Sequence, residues 1–193
     1  MKDIFSIKGK VALVTGGSRG IGSMIAAGFL SSGAKVYISS RKAGACDETA
    51  KKLSEEYGGE CISIPADVSN VEGIEALADA IKAKEDKLDI LINNAGSIST
   101  SLFLTSKIED IKDLFQVNFF SQLTLTQILV KKMINKNKSS IINITSTAGI
   151  DAVEGRLAYA STKSSMIIAT KILAKHDENY MPPNKNISSI YDS

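Results

Sequence analysis

The chain has 193 residues, of which 44% are hydrophobic and 23% are charged. This composition supports a buried core in one domain of ordinary size, and it excludes a fibrous, collagen-like or disordered protein. The 23 basic and 21 acidic residues leave a net charge of +2. Because no basic patch concentrates this charge, we expect no nucleic-acid partner.

The cysteines and the apolar runs indicate where the protein works. Cys46 and Cys61 have no companion ligands at metal-binding spacing and are too few for a disulfide framework, as is typical of a reducing cytoplasm. The first apolar run reaches glycine before it is long enough for a signal peptide, and no later run is long enough to span a bilayer. We therefore expect a cytoplasmic protein with no metal site and no membrane partner.

Apolar runs without polar alternation predict strands that are buried on both faces of a sheet. They lie at residues 11–14, 36–38, 61–64, 88–92 and 141–144. Segments with helical spacing lie between them, at 43–57, 71–85 and in one long stretch over 108–132. This alternation predicts an α/β fold with a doubly wound parallel sheet. We expect residues 1–176 to form one domain and 177–193 an irregular tail, within which only 186–191 resembles a short strand.

A glycine-rich turn, TGGSRGIG at 15–22, follows the first predicted strand and opens a helix. Glycine at such a turn permits a positive φ and lets the backbone approach a pyrophosphate at the positive end of the helix. The alternative is a structural strand-to-helix turn without a ligand. The residues that we assign to cofactor binding here are Gly16, Ser18, Arg19, Gly20, Ile21 and Gly22.

The end of the second predicted strand indicates which dinucleotide binds. A site selective for NAD usually places an acid there, but the segment reads VYISSRK at 36–42 and the first acid is Asp47. Arg41, together with Arg19 of the glycine turn, suits a 2′-phosphate instead, because guanidinium pairs with phosphate in a bidentate manner. We therefore predict NADP(H) as the cofactor; the alternative is that both arginines are solvated surface residues.

A candidate catalytic group follows the fifth predicted strand. Ser146 ends this segment, Tyr159 comes 13 residues later, and Lys163 lies four residues after Tyr159, on the same face of a helix. Tyrosine has a pKa of about 10, but a nearby ammonium stabilises its phenolate and adapts it to acid–base catalysis at neutral pH.

Together these motifs resemble the classical short-chain dehydrogenase/reductase family over about residues 8–175. The segments IPADVS at 64–69 and SRK at 40–42 are similar to those of 3-oxoacyl-[acyl-carrier-protein] reductases, and also to those of gluconate 5-dehydrogenase-like members. The motifs that match, in the family's order, are the turn at 15–22, Asp67 with Val68, the segment NNAG at 93–96, Asn118, Ser146, and Tyr159 with Lys163.

The resemblance implies a role for each candidate catalytic residue. Tyr159 gives a proton to a carbonyl oxygen, or removes it from an alcohol, while hydride moves to or from the nicotinamide. Lys163 lowers the pKa of the tyrosine and holds the nicotinamide ribose. Ser146 donates a hydrogen bond to the developing oxyanion. Asn118, on the long predicted helix, holds a water that feeds protons towards Lys163; the alternative is an asparagine that bonds backbone.

Further cofactor contacts are implied after the third and fourth strands. Asp67 and Val68 bracket the adenine, although aspartate at this place is also a common turn residue. Asn94 supports its loop, and Ala95 and Gly96 let the backbone come close to the cofactor.

The implied function is an NADP(H)-dependent oxidoreductase acting between a nicotinamide and a carbonyl or secondary alcohol, such as a 3-oxoacyl thioester or a similar ketone. Members of the family usually continue with a Pro-Gly turn, a substrate lid and a seventh strand. The chain stops before these parts, so we expect a Rossmann domain without its usual last strands and lid, from a truncated, frameshifted or alternatively ended gene product. The alternative function is therefore a cofactor-binding remnant with little or no turnover.

The resemblance also implies a homodimer. In the family, the helix that carries Asn118 and the helix that carries Tyr159 pack against their copies in a second subunit. We expect the apolar residues left for that contact to include Phe119, Leu123, Ile167 and Ile168.

Overall fold

The computed structural model describes residues 5–133, 139–175 and 187–190. Within these ranges a single parallel sheet has the strand order β3-β2-β1-β4-β5-β6. The predicted α/β class with a doubly wound parallel sheet is confirmed. The strands are β1 (Val11–Thr15), β2 (Lys35–Ser39), β3 (Cys61–Ser63), β4 (Ile90–Asn93), β5 (Ser140–Ile144) and β6 (Ile187–Ile190).

Helices cover both faces of the sheet, which is why its strands are apolar on both sides. The helices are α1 (Gly20–Ser31), α2 (Ala43–Tyr57), α3 (Val71–Lys84), α4 (Ile108–Phe115), α5 (Ser121–Met133) and α6 (Leu157–Lys175). Successive residues of β1 contribute to opposite cores. Val11 and Leu13 pack towards α3 and α5, whereas Ala12 and Val14 pack towards α1 and α2.

The helix predicted over 108–132 is interrupted. α4 ends at Phe115, Gln116–Phe120 form a π-helical turn, and α5 begins at Ser121. A π turn inserts one extra residue into a helix and frequently marks a functional site. Asn118 lies in this turn and is fully buried, so the turn brings a polar side chain into the interior.

The tail over 177–193 is not irregular throughout: the segment 186–191, which resembles a short strand in the sequence, contains one at Ile187–Ile190. These residues form β6, which runs parallel to β5 with Ile141 opposite Ile187 and Ile144 opposite Ile190. The physical reason is that a strand at the edge of a sheet offers unpaired backbone groups, which a further extended segment satisfies. Residues 176–186 and 191–193 of the tail lie outside the described residues.

A charged cluster ties β1 to β4 where both strands begin. Asp89 is 3% exposed, accepts a 2.9 Å hydrogen bond from the Val11 N–H, and forms ion pairs with Lys10 at 2.9 Å and Lys87 at 3.0 Å. Burial by itself raises the pKa of Asp89, but the bond from Val11 and the two lysines outweigh burial and lower that pKa. The carboxylate therefore stays ionised and fixes the two central strands against each other.

Candidate active site

The candidate residues gather where the parallel strands end. β1 and β4 are neighbours in the sheet, and the chain leaves them for different helical layers, since α1 covers the face opposite to α3 and α5. Such a switch in strand order opens a crevice outside the carboxyl ends of the strands, where ligands of open α/β sheets bind.

The glycine turn leaves no room for side chains at three of its positions, Gly16, Gly17 and Gly22. Gly16 has a φ of +65°, which only glycine adopts easily. A Cβ on Gly22 would overlap the carbonyl oxygen of Gly16 and lie 2.6 Å from Asn94 Nδ2. The same Asn94 Nδ2 donates to the main-chain oxygens of Thr15 at 2.9 Å and Gly16 at 3.2 Å. Asn94 thus supports the turn, and the turn keeps a bare backbone surface facing the crevice.

Thr15, the last residue of β1, connects the loop after β1 to the loop after β4. The sequence did not single out this residue. Its buried Oγ1 accepts hydrogen bonds from the main-chain N–H groups of Asn94 and Ala95, both at 3.0 Å, and donates to the oxygen of Ile92 at 3.2 Å. Gln122 of α5 donates to the Ala95 oxygen at 2.9 Å. The sequence feature that could have pointed to Thr15 is a threonine at the end of an otherwise apolar strand, because a buried hydroxyl needs hydrogen-bond partners.

The first turn of α1 offers its positive end to the crevice. Arg19 is the N-cap in an extended conformation, its side chain makes no capping bond, and the first turn holds no acidic residue. The backbone N–H groups at a helix start favour an anion. Arg19, Gly20 and Ile21 are exposed. Ser18 is half-buried, and its main-chain oxygen accepts a hydrogen bond from Thr49 Oγ1 at 3.0 Å.

Arg41 and Asp67 lie near each other beyond the ends of β2 and β3. The hydrogen bond that Asp67 Oδ1 accepts from the Ser69 N–H at 3.0 Å lowers the pKa of Asp67, and the charge of the exposed Arg41 adds to this effect. The bond to Ser69 is the turn that we weighed as the alternative for Asp67, and a contact of Asp67 with the adenine stays a prediction. Val68 is half-buried and packs against the core.

We expect Gly22→Ala to damage the turn, because the added methyl meets backbone that cannot move aside. The substitution should lower the free energy of unfolding by about 2 kcal/mol and weaken NADPH binding. Gly28→Ala is the matched control: Gly28 lies in α1 with no atom within 4 Å of its added Cβ, so stability should rise by up to about 1 kcal/mol. Chemical denaturation and NADPH titration measure both effects; equal behaviour of the two variants would contradict the tight fit at Gly22.

Tyr159 and Lys163 share one face of α6, as predicted. Lys163 is 5% exposed, and its Nζ donates to the main-chain oxygen of Ile144 at 2.8 Å. The same Nζ lies 5.8 Å from the ring centroid of Tyr159, which is half-buried. The structure therefore places a buried ammonium beside the ring of Tyr159.

Ser146 lies two residues beyond the end of β5 and is 6% exposed. Its Oγ accepts a bond from the Ala148 N–H at 3.2 Å and caps a short 3₁₀ turn over Thr147–Gly149. Ser164 of α6 donates to the Gly149 oxygen, so the loop that carries Ser146 is tied to the helix that carries Tyr159. The bond from Lys163 to Ile144 joins the same helix and strand. The structure thus brings Ser146, Tyr159 and Lys163 to one end of β5.

The Asn118 side chain forms hydrogen bonds with the main chain of Ser97, in the loop after β4. Its Oδ1 accepts from the Ser97 N–H at 2.8 Å, its Nδ2 donates to the Ser97 oxygen at 2.8 Å, and the same Nδ2 donates to Thr162 Oγ1 at 3.1 Å. A Cβ on Gly96 would lie 3.1 Å from Asn118 Oδ1. The absence of a side chain at Gly96 therefore lets the Asn118 side chain come close to the backbone of this loop. The side chain therefore fastens the loop after β4 to the π turn.

No group of three or more His, Cys, Asp or Glu residues in the described ranges is placed to hold a metal ion. No helix within those ranges has the length and apolar character needed to cross a membrane.

Comparison with known families decides which group of proteins shares this arrangement. The sequence model described as short chain dehydrogenase matches residues 10–180. The chain belongs to the short chain dehydrogenase family. The expected family is thereby confirmed, and the family's oxidoreductase character applies to this chain.

Curated short chain dehydrogenase relatives include named reductases. The chain is 40% identical over 180 residues to the rhamnolipids biosynthesis 3-oxoacyl-[acyl-carrier-protein] reductase of Pseudomonas aeruginosa, covering 91% of this chain and 70% of that protein. It is 34% identical over 169 residues to the 3-oxoacyl-[acyl-carrier-protein] reductase FabG of Aquifex aeolicus, covering 88% of this chain and 68% of that protein.

Solved short chain dehydrogenase structures share the fold. The RhlG/NADP active-site complex of Pseudomonas aeruginosa superposes with a TM-score of 0.84 at 40% identity, covering 91% of this chain and 70% of that one. L-sorbose reductase from Gluconobacter frateurii, complexed with NADPH and L-sorbose, superposes with a TM-score of 0.85 at 30% identity. The match covers 88% of this chain and 64% of the sorbose reductase.

Next to the site of this short chain dehydrogenase lies a chain of buried side-chain hydrogen bonds, here called the polar ladder, that the sequence did not predict. Its members are Asn93, Thr126, Asn143 and Thr170. Asn93 of β4 donates to Thr126 Oγ1 of α5 at 2.9 Å and to Asn143 Oδ1 of β5 at 2.8 Å. Asn143 in turn donates to Thr170 Oγ1 of α6 at 2.9 Å. These bonds connect α5 and α6, which pack on the same face of the sheet, to each other by way of β4 and β5. Paired asparagines within apolar strands were the available signal.

Proposed function

We propose that this chain is an NADP(H)-dependent oxidoreductase that interconverts a carbonyl compound and a secondary alcohol. The observation that carries the proposal is the convergence of Ser146, Tyr159 and the buried Lys163 at the end of β5. The strand β4 separates this group from the glycine turn after β1. A proton donor and a phosphate cradle therefore border one crevice.

The glycine turn and its surroundings fit the phosphates of the cofactor. The backbone at Gly16 and Gly22 leaves an open surface, and the start of α1 lacks any competing acid. Arg41 and Arg19 are both exposed at turns that border the crevice, where they would pair with a 2′-phosphate. The NADP and NADPH complexes of the two similar structures support the same choice.

Each proposed catalytic residue has a defined task. When bound, the nicotinamide supplies or accepts the hydride. Tyr159 gives its hydroxyl proton to the carbonyl oxygen, and the charge of Lys163 stabilises the phenolate that remains. Ser146 Oγ is held by the Ala148 N–H, a bond that leaves the hydroxyl proton available to the developing oxyanion. In alcohol oxidation the same groups act in reverse.

The substrate class that we propose is a 3-oxoacyl thioester or a similar ketone. A cleft of about 760 Å³ adjoins the Ser146 loop and the first turns of α6. Large apolar side chains contribute to its wall, among them Leu102, Phe103, Ile150, Val153 and Leu157. Such a wall suits an acyl chain better than a sugar, and the two 3-oxoacyl reductase relatives support this choice.

Steady-state assays test the proposal. Purified protein is supplied with NADPH and either 3-oxoacyl thioesters of increasing chain length or a polyol-derived ketone such as L-sorbose. We expect stoichiometric formation of the secondary alcohol, with kcat/KM rising with acyl length as more of the cleft wall is covered. The absence of turnover on every carbonyl substrate, in protein that binds NADPH, would instead favour the alternative of a cofactor-binding protein.

We also propose a homodimer through α5, the π turn and α6, in the cytoplasm. Phe120 is 50% exposed, Ile168 55% and Ile172 51%, whereas Phe119 and Leu123 are half-buried. The expectation that Ile167 belongs to this surface is wrong, because Ile167 is 4% exposed and packs inward.

Light scattering tests the dimer. We expect twice the chain mass for the parent protein and the single-chain mass for Ile168→Glu, because a carboxylate in an apolar interface is left without a partner. Val71→Glu is the control, since Val71 is 50% exposed on α3, which is not one of the elements that carry this surface. A parent protein that stays monomeric at assay concentration would contradict the dimer.

A further inference from the structure

A buried threonine hydroxyl joins two residues that the proposed function uses. Thr162 lies on α6 directly before Lys163 and is 0% exposed. Its Oγ1 donates a hydrogen bond to the main-chain oxygen of Tyr159 at 2.7 Å and accepts one from Asn118 Nδ2 at 3.1 Å. One hydroxyl therefore connects the π turn to the turn of α6 that carries Tyr159.

The bonding capacity of the Asn118 amide shows why this hydroxyl matters. The carbonyl oxygen accepts from the Ser97 N–H, and the two amide protons go to the Ser97 oxygen and to Thr162 Oγ1. Without Thr162 Oγ1, one amide proton would lie in the interior with no acceptor, which is unfavourable. The amide would then turn towards another acceptor, and its two bonds to Ser97 would weaken with it.

We propose that Thr162 is a positioning residue, whose hydroxyl sets Asn118 and the loop at Ser97 relative to Tyr159 so that proton transfer is efficient. This inference rests on the proposed function, because Tyr159 is the proton donor there. Thr162 itself faces Asn118 and a main-chain oxygen, so it acts through these groups.

The same helix offers a matched control two turns further on. Thr170 is 3% exposed, donates to the Met166 oxygen at 2.7 Å, and accepts from Asn143 Nδ2 at 2.9 Å. Thr162 and Thr170 thus lie on the same helix, are both buried and have the same bonding pattern. The amide that donates to Thr170 belongs to Asn143 of β5, whereas the amide that donates to Thr162 belongs to Asn118 of the π turn. Replacing either threonine by valine removes one hydroxyl and keeps the branched shape.

The test compares Thr162→Val with Thr170→Val by amide hydrogen exchange and by kinetics. In Thr162→Val we expect the Ser97 amide to exchange about tenfold faster, because its acceptor has lost an anchor. We expect kcat to fall about tenfold, with KM and the NADPH dissociation constant within about twofold. The solvent deuterium isotope effect on kcat should rise, which a mere loss of folded protein would not cause. Thr162→Ser should restore all of these values, and Thr162→Ala replaces the valine variant if that variant does not fold.

The outcomes separate this inference from the proposed function. If Thr162→Val matches Thr170→Val in Ser97 exchange and in kcat, Thr162 has no positioning role. Faster Ser97 exchange with an unchanged kcat also overturns the inference, because the hydroxyl would then hold Asn118 without serving the reaction. A parent protein without turnover contradicts the proposed function, whereas unchanged Ser97 exchange contradicts only the link through Thr162.

Discussion

Tyr159→Phe is expected to lower kcat for carbonyl reduction by about 10²–10⁴-fold, because a ring without a hydroxyl has no proton to give. The phenylalanine ring keeps the half-buried position of the tyrosine on α6. We therefore expect the NADPH dissociation constant to stay within about threefold, so that the loss falls on the chemical step alone. Single-turnover measurements with saturating NADPH separate binding from chemistry.

Tyr37→Phe is the control for this change. Tyr37 is buried in β2, and its hydroxyl donates to Glu85 Oε1 at 2.6 Å, so this hydroxyl bonds neither the glycine turn nor α6. This variant should lose stability by about 1 kcal/mol and keep the parent kcat. If Tyr159→Phe turned over at the parent rate, another acid would have to protonate the carbonyl.

Arg41→Asp is expected to reverse the preference for NADPH over NADH. Loss of the guanidinium removes a charge-assisted bond to the 2′-phosphate, and the new carboxylate repels that phosphate while accepting a bond from a 2′-hydroxyl. NADPH affinity should fall about ten- to hundredfold, and NADH affinity should rise. The nearby Asp67 already carries a negative charge at this edge, so the substituted site would be strongly acidic.

Lys52→Asp makes the same change of charge at an exposed position of α2 and should leave both affinities unchanged. Titrations of each protein with both cofactors at two salt concentrations give the comparison. Equal NADPH and NADH affinities in the parent protein would show that Arg41 does not contact the 2′-phosphate.

Local chemistry made part of this structure predictable. The helix predicted over 43–57 is α2, with these same bounds. It ends at Tyr57 because Gly58 adopts a left-handed φ of 64°. The positions of Ser146, Tyr159 and Lys163 follow from the order of strands and from helical spacing. The family and the α/β fold are confirmed by the match to the short chain dehydrogenase model and by superposition on solved structures.

Contacts between distant segments fixed what the sequence did not predict. The π turn depends on Asn118, whose partners Ser97 and Thr162 lie 21 and 44 residues away. The inward packing of Ile167 follows from Gly149, where an added Cβ would lie 3.0 Å from Ile167 Cδ1. Neither pattern has a local period, so neither could be predicted from the spacing of apolar residues.

Transfer of hydrogen from the cofactor to the substrate tests the central claim most directly. The protein is incubated with NADPH deuterated at both C4 positions and with a 3-oxoacyl thioester, and the alcohol product is analysed by mass spectrometry. The proposed reaction predicts one deuterium on the new carbinol carbon of each product molecule, and product formation about 10²–10⁴-fold slower with Tyr159→Phe. An alcohol without deuterium, or NADPH binding with no alcohol formed, would contradict it.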